Sequence, residues 1–405
     1  MPKRSASFAS CAWKSNANRR AARHEDTLFR LRLATLCLCL PVFRVAAQST
    51  IPAPLASSID SLARGALAIE NVGSLTIGIV NDTGLVWTHS YGMADARSKK
   101  PATAATVYRI GSITKQFTAL MLLQLVRAGT VRLSDPVDRY LPVIDSVRGR
   151  PQHAPPITLV ELATMRSGLA QEPESLDTYL HGAVSEWERV LAAALRHTTF
   201  EADPGSRWGY SNVGYAALGA ALAAAAGRPY IAYVRDEILR PLGMTHTTFE
   251  LDAAARTNLA VGYSFEHGPV DTATPAREHM GRGYKVPNGG LYSTVGDLAR
   301  FLVFEMGGGP DRVLPAADLA HNFANLAFAT PDLTQGYGLG YHVQRRGSLV
   351  AFGHPGSVAG YLATAYFDPG THTGVVVLRS VDDQKFDILS FTMTVLEKAA
   401  ASRRR

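Results

Sequence analysis

The apolar positions change period twice along the chain. Behind a Pro-punctuated lead, Ile51-Pro52-Ala53-Pro54, the stretch from Ser57 through Leu62 opens a helical repeat with a hydroxyl at the cap. The repeat then shortens to strand spacing in Ser74–Val80 and Leu85–Thr88, joined by Asn81-Asp82-Thr83-Gly84, whose residues supply a hairpin turn. From about Ser112 to Gly309 helical periodicity dominates. It predicts helices over Gln116–Arg127, Thr158–Met165, Ser185–Leu195, Val213–Ala226, Tyr230–Leu239 and Thr294–Phe304. Strand spacing returns at Tyr337–Val343, Leu349–Gly353, Tyr361–Phe367 and Gly374–Leu378, and an amphipathic helix over Phe386–Lys398 follows.

Strands near both ends with helices between them predict an α+β sandwich. One antiparallel sheet is built from N- and C-terminal segments, flanked by helices on both faces, and a mainly helical subdomain is inserted. A cleft between sheet and insert is the expected site. No internal repeat or low-complexity tract interrupts this plan, and the irregular stretch Glu266–Pro287 is long enough for a lid or binding loop.

Charge changes the picture at one end only. The 405 residues carry a formal charge of +7, and residues 1–47 hold nine Lys and Arg against Glu25 and Asp26, so residues 48–405 are neutral. Without a basic stripe the body lacks the footprint of a nucleic-acid binder. The only cysteines, Cys11, Cys37 and Cys39, also lie in that front segment, which leaves the body with no disulfide and no thiolate metal site. The basic lead, the apolar run Leu33–Phe43 and the small residues Val45-Ala46-Ala47 read as an export signal over 1–47, followed by one domain over 48–405. The run is shorter than the ~20 apolar residues that span a bilayer. The mature chain is therefore expected in the periplasm or outside the cell, or membrane-associated if the segment stays uncleaved.

Three segments carry candidate chemistry. In Tyr108-Arg109-Ile110-Gly111-Ser112-Ile113-Thr114-Lys115, Ser112 falls where a helix should begin and Lys115 lies one turn on, facing the same way. A serine needs a neighbour to take its proton, and a lysine held out of water is neutral often enough to do so. In Gly209-Tyr210-Ser211-Asn212, Tyr210 and Asn212 are two apart and point the same way in an extended backbone, offering a phenol to pass a proton and an amide to tie lysine and substrate. In Phe352-Gly353-His354-Pro355-Gly356-Ser357, His354 handles protons and Gly356 lets a substrate approach the backbone. Pro355 cannot donate to a ladder, which puts this strand at a sheet edge or beside an open cleft.

In this order the three segments resemble the motifs of the serine beta-lactamase and penicillin-binding-protein superfamily, in its branch of class C beta-lactamases, D-alanyl-D-alanine carboxypeptidases and related esterases. The Ser-x-x-Lys, Tyr-x-Asn and basic-x-Gly motifs fall on Ser112/Lys115, Tyr210/Asn212 and His354/Gly356. The flanking stretches Gly129–Pro136, Pro241–Met244 and Gly289–Thr294 look like the family too, and the resemblance covers residues 58–397. It implies an acyl-enzyme on Ser112, a general-base role shared by Lys115 and Tyr210, and an oxyanion held by the backbone N–H groups of Ser112 and Ser357. It implies no metal or organic cofactor. Asn212 and His354 would orient lysine, tyrosine and a small ester, amide or D-amino-acid peptide substrate.

Two positions depart from the pattern. Where most beta-lactamases carry Lys-Thr-Gly this chain has His354-Pro355-Gly356, with neither the permanent cation nor the hydroxyl that help hold a substrate carboxylate. Thr164-Met165-Arg166-Ser167-Gly168-Leu169 stands where many relatives have His-Thr-Ser-Gly-Leu, and reads as packing below the site, with Arg166 as an alternative source of positive charge. An exported serine hydrolase is the expectation. A true beta-lactamase or carboxypeptidase, and a slowly deacylating penicillin-binding sensor, are its rivals.

Overall fold

The computed structural model describes residues 51–68, 72–264, 276, 282–319, 328–330, 332–382 and 385–404. The 1–47 segment, its three cysteines and most of Glu266–Pro287 lie outside these residues. The chain opens with helix α1 (Ala53–Ala68) and then lays down the hairpin of β1 (Ser74–Asn81) and β2 (Gly84–Asp95). Asn81 turns it: its side-chain oxygen accepts from the backbone N–H of Thr83 at 2.8 Å and from the Thr83 hydroxyl at 2.7 Å. After the short β3 (Lys100–Pro101) the sheet is resumed only near the C-terminus, by β4 (Phe328–Ala329), β5 (Gln335–Tyr337), β6 (His342–Arg346), β7 (Leu349–Val358), β8 (Tyr361–Asp368) and β9 (Thr373–Arg379).

These nine strands form one antiparallel sheet in the order β3-β2-β1-β9-β8-β7-β6-β5-β4, with Ile77 opposite Val377 where the two ends of the chain meet. The expected α+β sandwich is thus the observed one. Strand alternation splits its core in two. On one face Leu75, Ile77, Ile79, Val375 and Val377 pack with Ile59 of α1 and Met393 and Leu396 of the C-terminal helix, residues Ile388–Arg403. On the other, Val80, Val376 and Leu378 meet Val295, Leu298 and Phe301 of the helix Val295–Val303. Gly78 lets that helix approach, since a Cβ there would sit 2.6 Å from the Val295 side chain. Each such apolar side chain contributes about 1.5–3 kcal/mol on full burial.

The insert supplies α2 (Thr114–Arg127), α3 (Leu159–Ala163), α4 (Trp187–Arg196), α5 (Asn212–Ala226) and the single turn α6 (Val286–Gly289). Thr158 starts α3 with a reciprocal cap, Thr158 Oγ1 accepting from Glu161 N and Glu161 Oε2 accepting from Thr158 N. No helix among the described residues is long and apolar enough to cross a membrane.

Two expectations need correcting. Tyr337–Val343 is not one strand: β5 ends at Tyr337, Gly340 turns at φ +78°, and β6 begins at His342. The strand with Pro355 is not at the sheet edge either, because β7 lies between β8 and β6. Its pairing with β6 stops at Gly353 opposite His342, and beyond that point its flank packs against the turn that carries Ser112. Pro355 also breaks no bond on the other side. The two-residue turn Ala359-Gly360 makes Val358 and Tyr361 the bonded pair, so by alternation the backbone nitrogens of Pro355 and Ser357 point away from β8.

Candidate active site

Ser112 occupies a 3-10 turn, Gly111–Ile113, that leads into α2. Gly111 holds φ +48°, and Thr114 Oγ1 donates to its carbonyl at 2.7 Å, fixing the turn. The turn and β7 are in backbone contact. A Cβ on Gly111 would lie 2.9 Å from Ser357 N, and one on Gly356 would lie 2.1 Å from Ile110 O and 3.2 Å from Ser112 N. The backbone nitrogens of Ser112 and Ser357 are therefore brought close together.

Lys115, in the first turn of α2, is fully buried and has three polar neighbours. Its Nζ lies 3.0 Å from Ser112 Oγ, 2.7 Å from Asn212 Oδ1 and 3.0 Å from the carbonyl oxygen of Asn288. Burial, reinforced by the Lys285 cation, pushes its pKa well below the usual lysine range, against a smaller opposing pull from Glu172. Tyr210 stands in the loop that enters α5, with its hydroxyl 2.9 Å from Ser112 Oγ. Desolvation drives the phenol's pKa upward, so it stays protonated. Ser211 is the helix cap, its Oγ accepting from Gly214 N at 3.0 Å, which leaves the Asn212 side chain free to face Lys115. Small residues along α5 admit α6 closely: a Cβ on Gly219 would lie 2.4 Å from Pro287 Cβ, and this approach brings Asn288 over the lysine.

His354 is 1% exposed. Its Nδ1 lies 2.5 Å from the Pro355 carbonyl, which only accepts, so Nδ1 carries the proton and Nε2 accepts from Tyr337 OH at 3.4 Å. The ring meets Tyr210 at 6.3 Å and His342 at 4.7 Å between centroids. Desolvation, with His342 and Lys115 nearby, holds its pKa well below the ordinary imidazole value, and burial pushes His342 down to about 4. Both rings are neutral at pH 7. Arg166 donates to the Gly205 carbonyl, while Gly205 N and Gly209 N return bonds of 2.7 and 2.8 Å to the carbonyls of Arg166 and Met165. The 164–168 stretch braces the Tyr210 loop, as the packing reading expected.

The structure thus brings Ser112, Lys115, Tyr210 and Asn212 into direct contact, with His354 beside Tyr210 and with Gly356 and Ser357 against the serine turn. It adds Glu172, Tyr284, Lys285 and Asn288, which motif reading missed. Glu172 Oε1 accepts from Asn212 Nδ2 at 2.7 Å and from Lys285 Nζ at 2.8 Å, and Oε2 accepts from Tyr284 OH. The sole advance signal was that Tyr284 and Lys285 close the irregular Glu266–Pro287 stretch.

This sheet-and-insert fold with serine, lysine and tyrosine at one point is that of the serine beta-lactamase and penicillin-binding-protein superfamily. The chain belongs to the Beta-lactamase family, whose model matches residues 59–388. It is 30% identical over 333 residues to Putative beta-lactamase-like 1 of Homo sapiens, covering 79% of this chain and 63% of that protein. It is 34% identical over 218 residues to the D-alanyl-D-alanine-carboxypeptidase/endopeptidase AmpH of Escherichia coli K12, covering 53% and 52%. The chain spans less than two thirds of either relative. Among solved structures, the octameric penicillin-binding protein homologue from Pyrococcus abyssi superposes with TM-score 0.71 at 27% identity, over 84% of this chain and 76% of that one. A class C beta-lactamase shares the fold at TM-score 0.71 and 20% identity, over 86% and 96%.

Proposed function

We propose that the chain is an exported serine hydrolase that cleaves a small ester or amide through an acyl-enzyme on Ser112. The observation that carries this is the contact triangle of Ser112 Oγ with Lys115 Nζ at 3.0 Å and Tyr210 OH at 2.9 Å. The opposite displacements of the two pKa values divide the labour: neutral Lys115 takes the serine proton and Tyr210 remains a donor. Ser112 Oγ then bonds to the substrate carbonyl carbon, and the oxyanion accepts from the N–H groups of Ser112 and Ser357. The leaving group departs with the proton held on Lys115, passed through Tyr210. Water next attacks the acyl carbon, returns a proton to Ser112 and frees the acid.

Substrate class follows from His354. A neutral, buried imidazole stands where a cation would hold a carboxylate, which favours neutral acyl substrates over carboxylate-bearing beta-lactams and D-alanyl peptides. The likeness to AmpH favours carboxypeptidase action as the second reading. The basic, apolar and small-residue succession over 1–47 supports export. The test is time-resolved intact-protein mass spectrometry with a p-nitrophenyl ester and, separately, a cephalosporin. A transient Ser112 adduct with steady ester turnover and slow cephalosporin turnover is expected. Fast cephalosporin hydrolysis means a lactamase, a persistent adduct means a sensor, and no adduct with either overturns the proposal.

A further inference from the structure

Glu172, Tyr284 and Lys285 form a polar cluster separated from the reacting serine by Asn212 and Lys115, and none of them is needed as acid, base or nucleophile. Their geometry nevertheless decides how Lys115 can bond. A carboxylate only accepts, so Glu172 obliges Asn212 to present Nδ2 to it and therefore Oδ1 to Lys115. Asn288 Nδ2 donates to the same Oδ1 at 3.1 Å and favours the same orientation. The backbone oxygen of Asn288 also only accepts. A neutral Lys115 has two N–H groups and one lone pair. Both N–H groups are claimed by Asn212 Oδ1 and Asn288 O, so the lone pair is left facing the third neighbour, Ser112 Oγ, which accepts from Tyr210 and donates its own proton to the lysine.

We infer that Glu172, clamped by Lys285 and Tyr284, is a positioning residue of the reaction that locks the Asn212 amide and so aims the free lone pair of Lys115 at Ser112. The inference rests on the acyl-enzyme reading above and goes beyond it, because it assigns work to three residues outside the recognised motifs. The clamp is anchored from the insert: Tyr284 N donates to the Tyr179 carbonyl at 3.1 Å, and Gly283 holds φ +53° against that same carbonyl. Tyr284 is buried, and its phenol is kept protonated by burial and by the carboxylate it serves.

The clamp also sets the field at the lysine. Charged or titratable groups around Lys115 are Tyr210 and Tyr215 on the α5 side, His342 and His354 on the sheet, and Glu172 and Lys285 across Asn212. Burial sets the downward shift of Lys115, and because the phenols and imidazoles are neutral at pH 7 the ion pair adjusts it: Glu172 favours the charged form and Lys285 the neutral form. Removing either partner unbalances the pair in opposite directions.

The experiment measures p-nitrophenyl ester hydrolysis by the full chain from pH 5 to 10, for the parent, Glu172→Gln, Lys285→Met and the double variant, with Ser112 acylation followed by mass. Glutamine can both donate and accept, so Glu172→Gln frees the Asn212 amide to turn. Its plateau kcat is expected to fall on the order of tenfold with little change in KM. Its ascending limb moves to lower pH by about one unit, because a charge that favoured the ammonium is gone. Lys285→Met moves the limb to higher pH. The double variant restores the parental limb while keeping the low plateau, a combination that mere loss of packing does not produce. Limbs that stay put or move together, or a Glu172→Gln plateau within about twofold of the parent, overturn the inference. Lys285 is partly exposed, so Lys285→Met decides the limb question even if Glu172→Gln folds poorly. Absence of a Ser112 adduct in the parent overturns the acyl-enzyme reading itself, and an adduct with unmoved limbs overturns the clamp alone.

Discussion

At the scale of single residues the site depends on contacts of hydrogen-bond length. Replacing Ser112 by Ala removes the nucleophile but leaves a small side chain in a position that is only partly buried. Ester turnover is expected to fall by ~10³-fold or more with the thermal midpoint little changed, as paired kinetics and melting would show. Parental turnover in that variant would remove Ser112 from the mechanism. Tyr210→Phe keeps the ring against His354 and Lys115 and deletes only the hydroxyl that lies 2.9 Å from Ser112. Since positioned acid–base groups are typically worth 10²–10⁴-fold, acylation should slow by at least ~10²-fold in single-turnover mixing. An unchanged acylation rate would mean that Lys115 works without the phenol.

At the scale of elements, the decisive relation is the one between β7 and the Ser112 turn. Gly356→Ala would place a methyl 2.1 Å from the Ile110 carbonyl oxygen, a backbone atom that cannot swing aside. The strand must move away, and with it Ser357 N. The expected result is a loss of at least ~10²-fold in kcat, the scale of a lost oxyanion donor, together with a lower melting temperature. Thr158→Ala makes the contrast, because it removes one half of a cap on α3 far from Ser112 in sequence. It should cost about 1 kcal/mol in urea unfolding and leave kcat near parental. The same scale explains what could be read in advance. Helices α2, α4 and α5 were legible because their apolar repeats face one core, and the three motifs were legible because each keeps its chemistry within a few consecutive residues. The break between β5 and β6 was not, since Tyr337, Tyr341 and Val343 are apolar enough to sustain a strand pattern across the turn at Gly340. Glu172 and Lys285 escaped for another reason. They lie 40 residues before and 73 residues beyond Asn212 in the chain, and only the folding of the insert brings them together.

At the scale of the molecule, a buried carboxyl remote from Ser112 makes stability depend on pH apart from catalysis. Glu305, 2% exposed, follows the helix that packs on β1 and β9, and its Oε2 accepts from Tyr341 OH at 2.8 Å. Tyr341 belongs to the turn between β5 and β6, so this bond ties the end of that helix to the far half of the sheet. Its other oxygen has no hydrogen-bond partner among the described residues. Burial raises its pKa from 4.5 to about 8. A folded-state pKa above the unfolded value means that the folded chain binds the proton more tightly. The contribution of Glu305 to stability is therefore greatest below the unfolded pKa of 4.5, declines as pH rises from there to about 8, and levels off above. Integrated over that window the loss is on the order of a few kcal/mol. Glu305→Gln keeps an acceptor for Tyr341 and removes the ionisation. The variant should match the parent in urea unfolding near pH 4.5 and exceed it progressively toward pH 8, while its ester kinetics at pH 7 stay parental because Glu305 touches none of Ser112, Lys115 or Tyr210. A stability difference that does not change with pH would show that Glu305 is not the titrating group. A parallel loss of ester turnover would instead show that the bond between Tyr341 and the helix reaches the site through Gly340, whose added Cβ would lie 3.2 Å from the Lys115 carbonyl oxygen.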